Sequence, residues 1–442
     1  MSGTSLPIGI LGAGLSGLTV AWSLQKSGTA YQLLEGNAEP GGYIRSVREG
    51  EYLRELGPNS LLIDQEVRAF LHELDLSSQL LPANPVGDDR YVFRNGAYRQ
   101  LPSGPLSLLF GGFFGWKTKL AVLRESRVAS RSPEGETLAA FFARRFSPEL
   151  VDYALNPFVA GIYAGDPQQL LVAQTFPALV AYEREHGSVL KGLMKNRTGE
   201  RRQSVSFRDG LQTLPRVMAS KLDGIRFGID VQSIHKNPDS GWRVVTSAGE
   251  LEFDKLIVTA PAFVCAGWFR ESLPAFSQVL EAIRYPPMTV VHTAFRRADV
   301  RHPLQGFGGL NPKIEGLFAA GHLWSSSVFA ARCPPDEVLL TSFVGGSQSA
   351  NRAHLPDEAL LRQLNAELQR VFGVTGEPTF QRIFRWERAI PQYDAHALPA
   401  QQQAAALEKE GLFFCTNWLN GVSLTDAIKK GRTLAEKLQS LR

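Results

Sequence analysis

Three glycines define the chemistry this chain is equipped for. Gly12, Gly14 and Gly17 stand in the run Gly12-Ala13-Gly14-Leu15-Ser16-Gly17, directly after the apolar stretch Ile8-Gly9-Ile10-Leu11. A second apolar stretch, Tyr31-Gln32-Leu33-Leu34, ends in an acid, Glu35, about twenty residues further on. Gly12 permits a tight turn, Gly14 lets backbone come against a pyrophosphate, and Gly17 with Ala21 keeps the following helix close to the sheet. N–H groups at the helix start then face phosphate, and Glu35 accepts hydrogen bonds from a ribose diol. Glycine-rich turns are common, but strand, turn, helix and acid in register predict that the chain holds a dinucleotide.

Further glycines widen that reading. Gly41-Gly42 follows Glu39-Pro40, and Gly57-Pro58 follows Glu55-Leu56. Read alone, each is a turn. Read after the fingerprint, they predict a second phosphate-contacting loop and a flavin-facing loop, which a nicotinamide-only dehydrogenase does not need. Gly421-Val422-Ser423, at the start of a predicted C-terminal helix, offers backbone donors to a flavin ring or a pyrophosphate. Val231 falls where a backbone clamp on adenine is expected. Together these positions indicate FAD in an extended crevice.

Side-chain catalysts are scarce. The chain has no GxSxG elbow, no HExxH, no Walker lysine and no paired histidine ligands. His292 and His322 stand singly on apolar strands and read as satisfied core histidines; Asp88 and Asp89 read as surface acids. Where the protein supplies no acid, base or nucleophile, the cofactor carries the chemistry. The expected class is a flavin-dependent oxidase or desaturase that holds a C–H bond of a large apolar substrate against the flavin and admits oxygen.

The 442 residues suffice for two or three domains, and 44% apolar with 20% charged residues is ordinary globular composition. A net charge of +4 is mild, and no basic block with interleaved aromatics points to nucleic acid. Cys265, Cys333 and Cys415 lie far apart, without metal or redox spacing, and fit buried thiols in a reducing compartment. The first strand begins too early for a signal or transit peptide, so a cytoplasmic, bacterial protein is expected.

The elements that must position the glycines and their ligand are predicted as a Rossmann-like α/β FAD-binding domain in three pieces, 1–76, 205–284 and 386–442. Residues 77–204 read as a helical insertion, forming part of the substrate cavity, and 285–385 as an α+β substrate domain with strands at 290–295, 317–320 and 338–344. Within the insertion, 101–116 is apolar and aromatic, then meets Lys117 and Lys119. Its prolines and glycines make it too broken to span a bilayer; it reads as a membrane-surface segment or as a cavity wall. The run 191–208 holds six basic residues against Glu200 and reads as a solvated loop.

The chain resembles, over nearly its whole length, the oxygen-dependent protoporphyrinogen oxidases, flavoenzymes of late haem synthesis within the monoamine-oxidase-like superfamily. The resemblance rests on Gly41-Gly42-Tyr43-Ile44-Arg45-Ser46, Glu55-Leu56-Gly57-Pro58, Asp89-Arg90-Tyr91-Val92, Asn156-Pro157-Phe158-Val159-Ala160-Gly161, Gln305-Gly306-Phe307-Gly308, Thr341-Ser342-Phe343-Val344 and Asn420-Gly421-Val422-Ser423. It implies noncovalent FAD, with Arg45 and Trp386 added to the cofactor contacts. It further implies that Arg90 pairs with a substrate propionate, that the Gly161 carbonyl faces the reacting edge of the tetrapyrrole, and that Leu310, Leu323 and Phe343 sandwich the pyrrole rings. The implied reaction is the six-electron oxidation of protoporphyrinogen IX, with oxygen reduced to hydrogen peroxide. Implied partners are peripheral contact with the inner face of a bacterial membrane and hand-over to the next haem-pathway enzyme. The rival readings are coproporphyrinogen III oxidation, then carotenoid desaturation or amine oxidation, then a flavin-binding haem-pathway protein without turnover.

Overall fold

The strand Ile8–Leu11 lies parallel to Tyr31–Glu35 on one side and to Leu256–Val258 on the other. Ile225–Phe227 and Leu412–Phe414 extend this core to a five-stranded parallel sheet drawn from the beginning, middle and end of the chain. The computed structural model describes residues 6–102, 104–196 and 202–440. Strands buried on both faces are built from runs of Ile, Leu and Val, as in Ile8-Gly9-Ile10-Leu11. One face packs against the helices Leu15–Lys26 and Leu424–Ser440. Those helices approach closely at Gly431, where a side chain would strike Thr19. The other face packs against Ala262–Phe269, Pro274–Glu281 and Ala397–Leu407, with an antiparallel meander of Val231–Lys236, Trp242–Thr246 and Gly249–Phe253 beside them.

A second, seven-stranded sheet runs Phe380–Trp386, Met288–Arg296, Glu337–Gly345, Gly321–Leu323, Gly308–Leu310, Arg90–Arg94, Ala97–Gln100. Two sequence expectations are corrected here. Residues 77–204 are not purely helical: Leu80–Pro82 pairs with Gln203–Phe207, and Arg90–Arg94 and Ala97–Gln100 belong to the seven-stranded sheet. Leu80–Pro82 and Arg90–Arg94 pair with strands more than a hundred residues away and leave little local signal, whereas Ala97–Gln100 is the hairpin partner of Arg90–Arg94 across Asn95-Gly96. Residues 317–320 form a loop rather than a strand, because side chains replace the ladder. The carboxylate of Glu367 accepts from the N–H groups of Phe318 and Ala319, and Arg352 donates to the carbonyls of Leu317 and Phe318.

Helices dominate from Pro105–Phe110 to Val189–Lys195. The segment 101–116 divides by face: Phe113 and Phe114 are buried against Val92, whereas Leu106, Phe110 and Trp116 are 72%, 82% and 70% exposed. Residues 197–201 of the basic run lie outside the described residues; Lys191, Lys195, Arg202 and Arg208 are exposed, but the expected loop is corrected, since Val189–Lys195 is a helix and Gln203–Phe207 a strand with Val205, Ser206 and Phe207 buried. Among the described residues no helix is long and apolar enough to cross a membrane.

Candidate active site

At the nucleotide end two glycine segments lie side by side. Gly14 bridges to Gly41, the Gly41 N–H donates to the Ala13 carbonyl at 2.9 Å, and a Cβ on Gly42 would lie 3.5 Å from the Gly14 Cα. Gly12 and Gly17 are required for packing: a Cβ on Gly12, at φ +107°, would meet the Thr259 hydroxyl, and one on Gly17 would lie 2.0 Å from the Gly12 carbonyl oxygen. Gly14 differs, because a Cβ there meets nothing within 4 Å. Open space above a backbone turn at a helix start, with packed protein behind it, fits a pyrophosphate. Leu15 is buried and Ser16 half-buried in the first turn of that helix. The Ala13 N–H donates to Glu35 Oε2 at 2.6 Å and Asn37 donates to Oε1, which fixes the carboxylate and leaves it lone pairs for a ribose diol. Val231 follows a segment tied to the same strand end, the Ile229 N–H donating to the Glu35 carbonyl at 2.9 Å.

Further along the crevice, Trp386 gathers the next group. Its Nε1 donates to the Leu56 carbonyl at 2.7 Å, its ring lies 4.9 Å from that of Tyr43, and the Arg45 guanidinium sits 5.3 Å over it. Gly57 packs under the Tyr43 carbonyl, too closely for any side chain, with the half-buried Pro58 next to it. The neighbouring carbonyl, of Glu55, is held by His292 Nε2 at 3.1 Å. Burial and the nearby Arg54 push the His292 pKa down to about 3, so the ring is neutral and donates from Nε2. On the opposite wall Gly421 has φ +111°, its N–H donates to the Tyr393 hydroxyl, and Val422 packs against Tyr163 and Tyr393. Ser423 is committed elsewhere. Its hydroxyl accepts from the Asp426 N–H and its own N–H donates to Asp426 Oδ2, the reciprocal cap of the C-terminal helix.

Sheet register brings the substrate residues together. Arg90 is opposite Gly308, Gly308 opposite Leu323 and Leu323 opposite Thr341; Val92, Leu310, Gly321 and Phe343 form the next row. Because alternate residues share a face, Arg90, Leu310, Leu323 and Phe343 all project from one side of the sheet. Phe343 joins Trp386, Ala164, Met288 and Val290 in one apolar cluster, and joins Leu323 and Phe307 in another, so the two ends of the site are continuous. Leu310 also meets the helix Asn156–Tyr163: a Cβ on Gly161 would lie 2.9 Å from Leu310 Cδ2. Gly161 is exposed in the last turn of that helix, where carbonyls have no intrahelical partner. Arg90 stacks 4.5 Å over Phe307, and the nearby Asp88 carboxylate acts on its charge. More than a third of its surface is accessible, yet the surrounding protein lowers its pKa. Both follow if the guanidinium lines an internal cavity.

The other face of the sheet carries His322, bonded through Nδ1 to Ser342 at 2.8 Å and lying 3.3 Å from Glu367. All three are buried beneath the helix Asp357–Phe372, so this is core structure, as the sequence suggested. Asp89 accepts from Gln100, and Asp88 is exposed. The three cysteines are free thiols, and no cluster of metal-ligating side chains occurs among the described residues. Sequence reading missed Phe307 as the platform for Arg90, Tyr163 and Tyr393 behind Val422, and Lys430. Lys430 follows Lys429, and a lysine pair in a helix reads as solvated charge; Lys429 does pair outward with Asp64 and Glu66, whereas Lys430 turns inward.

A dinucleotide cradle continuous with an apolar face fits a flavin-dependent oxidoreductase, whose cofactor carries the chemistry. The chain belongs to the family of flavin containing amine oxidoreductases, whose profile it matches over residues 15–439. FAD is therefore its cofactor, and the glycine cradle and Glu35 fit it. Within that family, the chain is 30% identical to the mitochondrial protoporphyrinogen oxidase of Nicotiana tabacum, across 97% of this chain and 94% of the other. It is 25% identical to the coproporphyrinogen III oxidase of Bacillus subtilis, across 96% of each. The fold also matches the crystal structure of an Exiguobacterium sp. 255-15 protein provisionally assigned as a protoporphyrinogen oxidase, with a TM-score of 0.79 at 22% identity, over 99% of this chain and all of that one.

Proposed function

We propose that this enzyme oxidises protoporphyrinogen IX to protoporphyrin IX, a six-electron change made in three two-electron rounds, each returning one molecule of hydrogen peroxide from oxygen. The observation that carries this reading is Arg90, an accessible guanidinium stacked on Phe307 at the end of a face formed by Leu310, Leu323 and Phe343. A flat apolar macrocycle with carboxylates at one edge is the complementary shape, and a guanidinium fork suits a carboxylate. Bound FAD supplies the two-electron redox chemistry. The protein's part is to hold and orient: Gly161 leaves room for the ring edge beside Leu310, its carbonyl provides a dipole there, and His292, fixed neutral on Glu55, takes no proton from the substrate. The apolar surroundings of Arg90 favour a substrate with few carboxylates over one with four. Turnover of protoporphyrinogen and coproporphyrinogen in air, followed side by side by porphyrin fluorescence and peroxide, tests the assignment. Faster protoporphyrinogen turnover supports it, the reverse preference supports coproporphyrinogen oxidation, and no porphyrin from either refutes both.

We infer also that the helical stretch rests on a membrane surface. Leu106, Phe110, Trp116, Leu123 and Met194 are exposed apolar side chains, and Lys117 lies beside Trp116. Aromatics in the interface with a lysine at headgroup level is the pattern of a monotopic contact.

A further inference from the structure

The loop 416–421, between the last strand and the C-terminal helix, is organised by a lysine. Lys430 Nζ donates to the carbonyls of Thr416 at 2.8 Å, Leu419 at 2.6 Å and Gly421 at 3.1 Å, so all three ammonium protons are used on this one loop. Two further carbonyls are held from other directions. The Tyr393 hydroxyl donates to Asn417, and Gln401 Nε2 donates to Trp418. In a trans peptide the carbonyl and the next N–H point opposite ways. The N–H groups of Asn417, Asn420 and Val422 therefore point away from Lys430, and none of the three has an acceptor among the described residues. Asn420 at φ +53° and Gly421 at φ +111° are consecutive residues at positive φ, so the chain turns sharply here and its carbonyls and N–H groups are set on opposite sides of the loop. For Asn420 that conformation is strained, and it persists only where its surroundings enforce it. The lysine does so at a cost, since burial lowers its pKa.

We propose that Lys430 is a positioning residue of the cofactor site: by drawing the carbonyls of Thr416, Leu419 and Gly421 inward, it presents the N–H groups of Asn417, Asn420 and Val422 to electron-rich oxygens of FAD. The proposal rests on the FAD assignment. Those oxygens belong either to the pyrophosphate or to the flavin ring, and both are acceptors these N–H groups would take.

The test titrates apoprotein with FAD and with ADP, following flavin fluorescence and heat. Lys430→Met keeps the side chain's bulk while removing its charge and donors. It is expected to raise the FAD dissociation constant about ten- to a hundredfold, the loss of hydrogen bonds to a charged group. Equal weakening of ADP assigns these N–H groups to the pyrophosphate, and weakening of FAD alone assigns them to the flavin ring. Leu438→Ala is the control, a buried contact on the same helix remote from the loop. It should lower the melting temperature of the apoprotein and leave FAD affinity within about twofold, well under 1 kcal/mol. The proposal is overturned if Lys430→Met binds FAD like wild type, or if Leu438→Ala loses as much affinity for a matched loss of melting temperature. Hydrogen exchange on the wild-type chain gives a reading independent of any variant. FAD should protect the amides of Asn417, Asn420 and Val422, and unchanged exchange at all three would also overturn it. A wild-type chain that takes up no FAD would defeat the cofactor assignment instead.

Discussion

Gly14 and Gly17 look equivalent in the fingerprint, yet a side chain at the two positions meets opposite fates. At Gly17 it strikes the Gly12 carbonyl oxygen at 2.0 Å, so the turn itself must break; at Gly14 it enters open space. Gly14→Val is therefore expected to abolish FAD binding while leaving the melting temperature of the apoprotein nearly unchanged. Gly17→Val should lower both, as scanning calorimetry with and without FAD would show. Arg90→Ala removes the guanidinium at the Phe307 end of the apolar face and should raise KM by about ten- to a hundredfold, with the flavin spectrum unchanged. Identical kinetics would eliminate its role. His292 gives a pH prediction. Its folded pKa of about 3 lies below the ordinary 6.5, so the unfolded chain takes the proton first. The stability this group confers is complete above about pH 6.5 and declines toward pH 3, by about 1.4 kcal/mol per unit. His292→Gln keeps a donor for the Glu55 carbonyl and should flatten the fall in urea midpoint between pH 6.5 and 5. The glycines and Glu35 were legible because their geometry is local. Phe307 and Lys430 were not, because nothing near a phenylalanine or a lysine in the sequence says which loop it will meet.

Among the elements, the helix ending in Gly161 shows how local irregularity sets a site. Val151–Leu155 forms a π-helical turn immediately before Asn156-Pro157, where the proline lacks an N–H and a regular ladder would fail. The helix closes at Ala164, left-handed at φ +50°, whose carbonyl accepts from the Ser347 N–H at 2.7 Å. Its last turn is thereby seated against the seven-stranded sheet. Gly161→Ala places a methyl 2.9 Å from the end of the Leu310 side chain, which can rotate away. The expected result is folded, FAD-loaded protein with kcat/KM lowered about tenfold, about 1.4 kcal/mol of transition-state stabilisation. Wild-type kcat/KM would separate Gly161 from the reacting edge. The parallel strands at either end of the chain could be read from their apolar runs. Arg90–Arg94 could not, since it joins the sheet through Gly308–Leu310, far away in the sequence, and Ala97–Gln100 joins only as its hairpin partner across Asn95-Gly96.

At the scale of the molecule, two sheets share one crevice, and the helices from Pro105–Phe110 onward crown the substrate end with exposed apolar side chains. Phe110→Asp with Trp116→Asp should reduce cosedimentation with anionic lipid vesicles while sparing FAD content. Undiminished cosedimentation would refute the membrane reading. The five-stranded sheet has a further consequence, for how the protein is made. Its outer strand Leu412–Phe414 and the helix Leu424–Ser440, which covers the first helix, come at the far end of the chain from the fingerprint they complete. During synthesis the glycine turn, the adenine-side strands and the entire substrate sheet leave the ribosome with one face of the nucleotide core still bare. A ribosome-bound nascent chain ending before Leu412 would thus expose Leu18, Leu33 and Ile257 to chaperones, however complete its substrate sheet. Cofactor capture is then expected only once Leu412–Phe414 and Leu424–Ser440 have been made and packed.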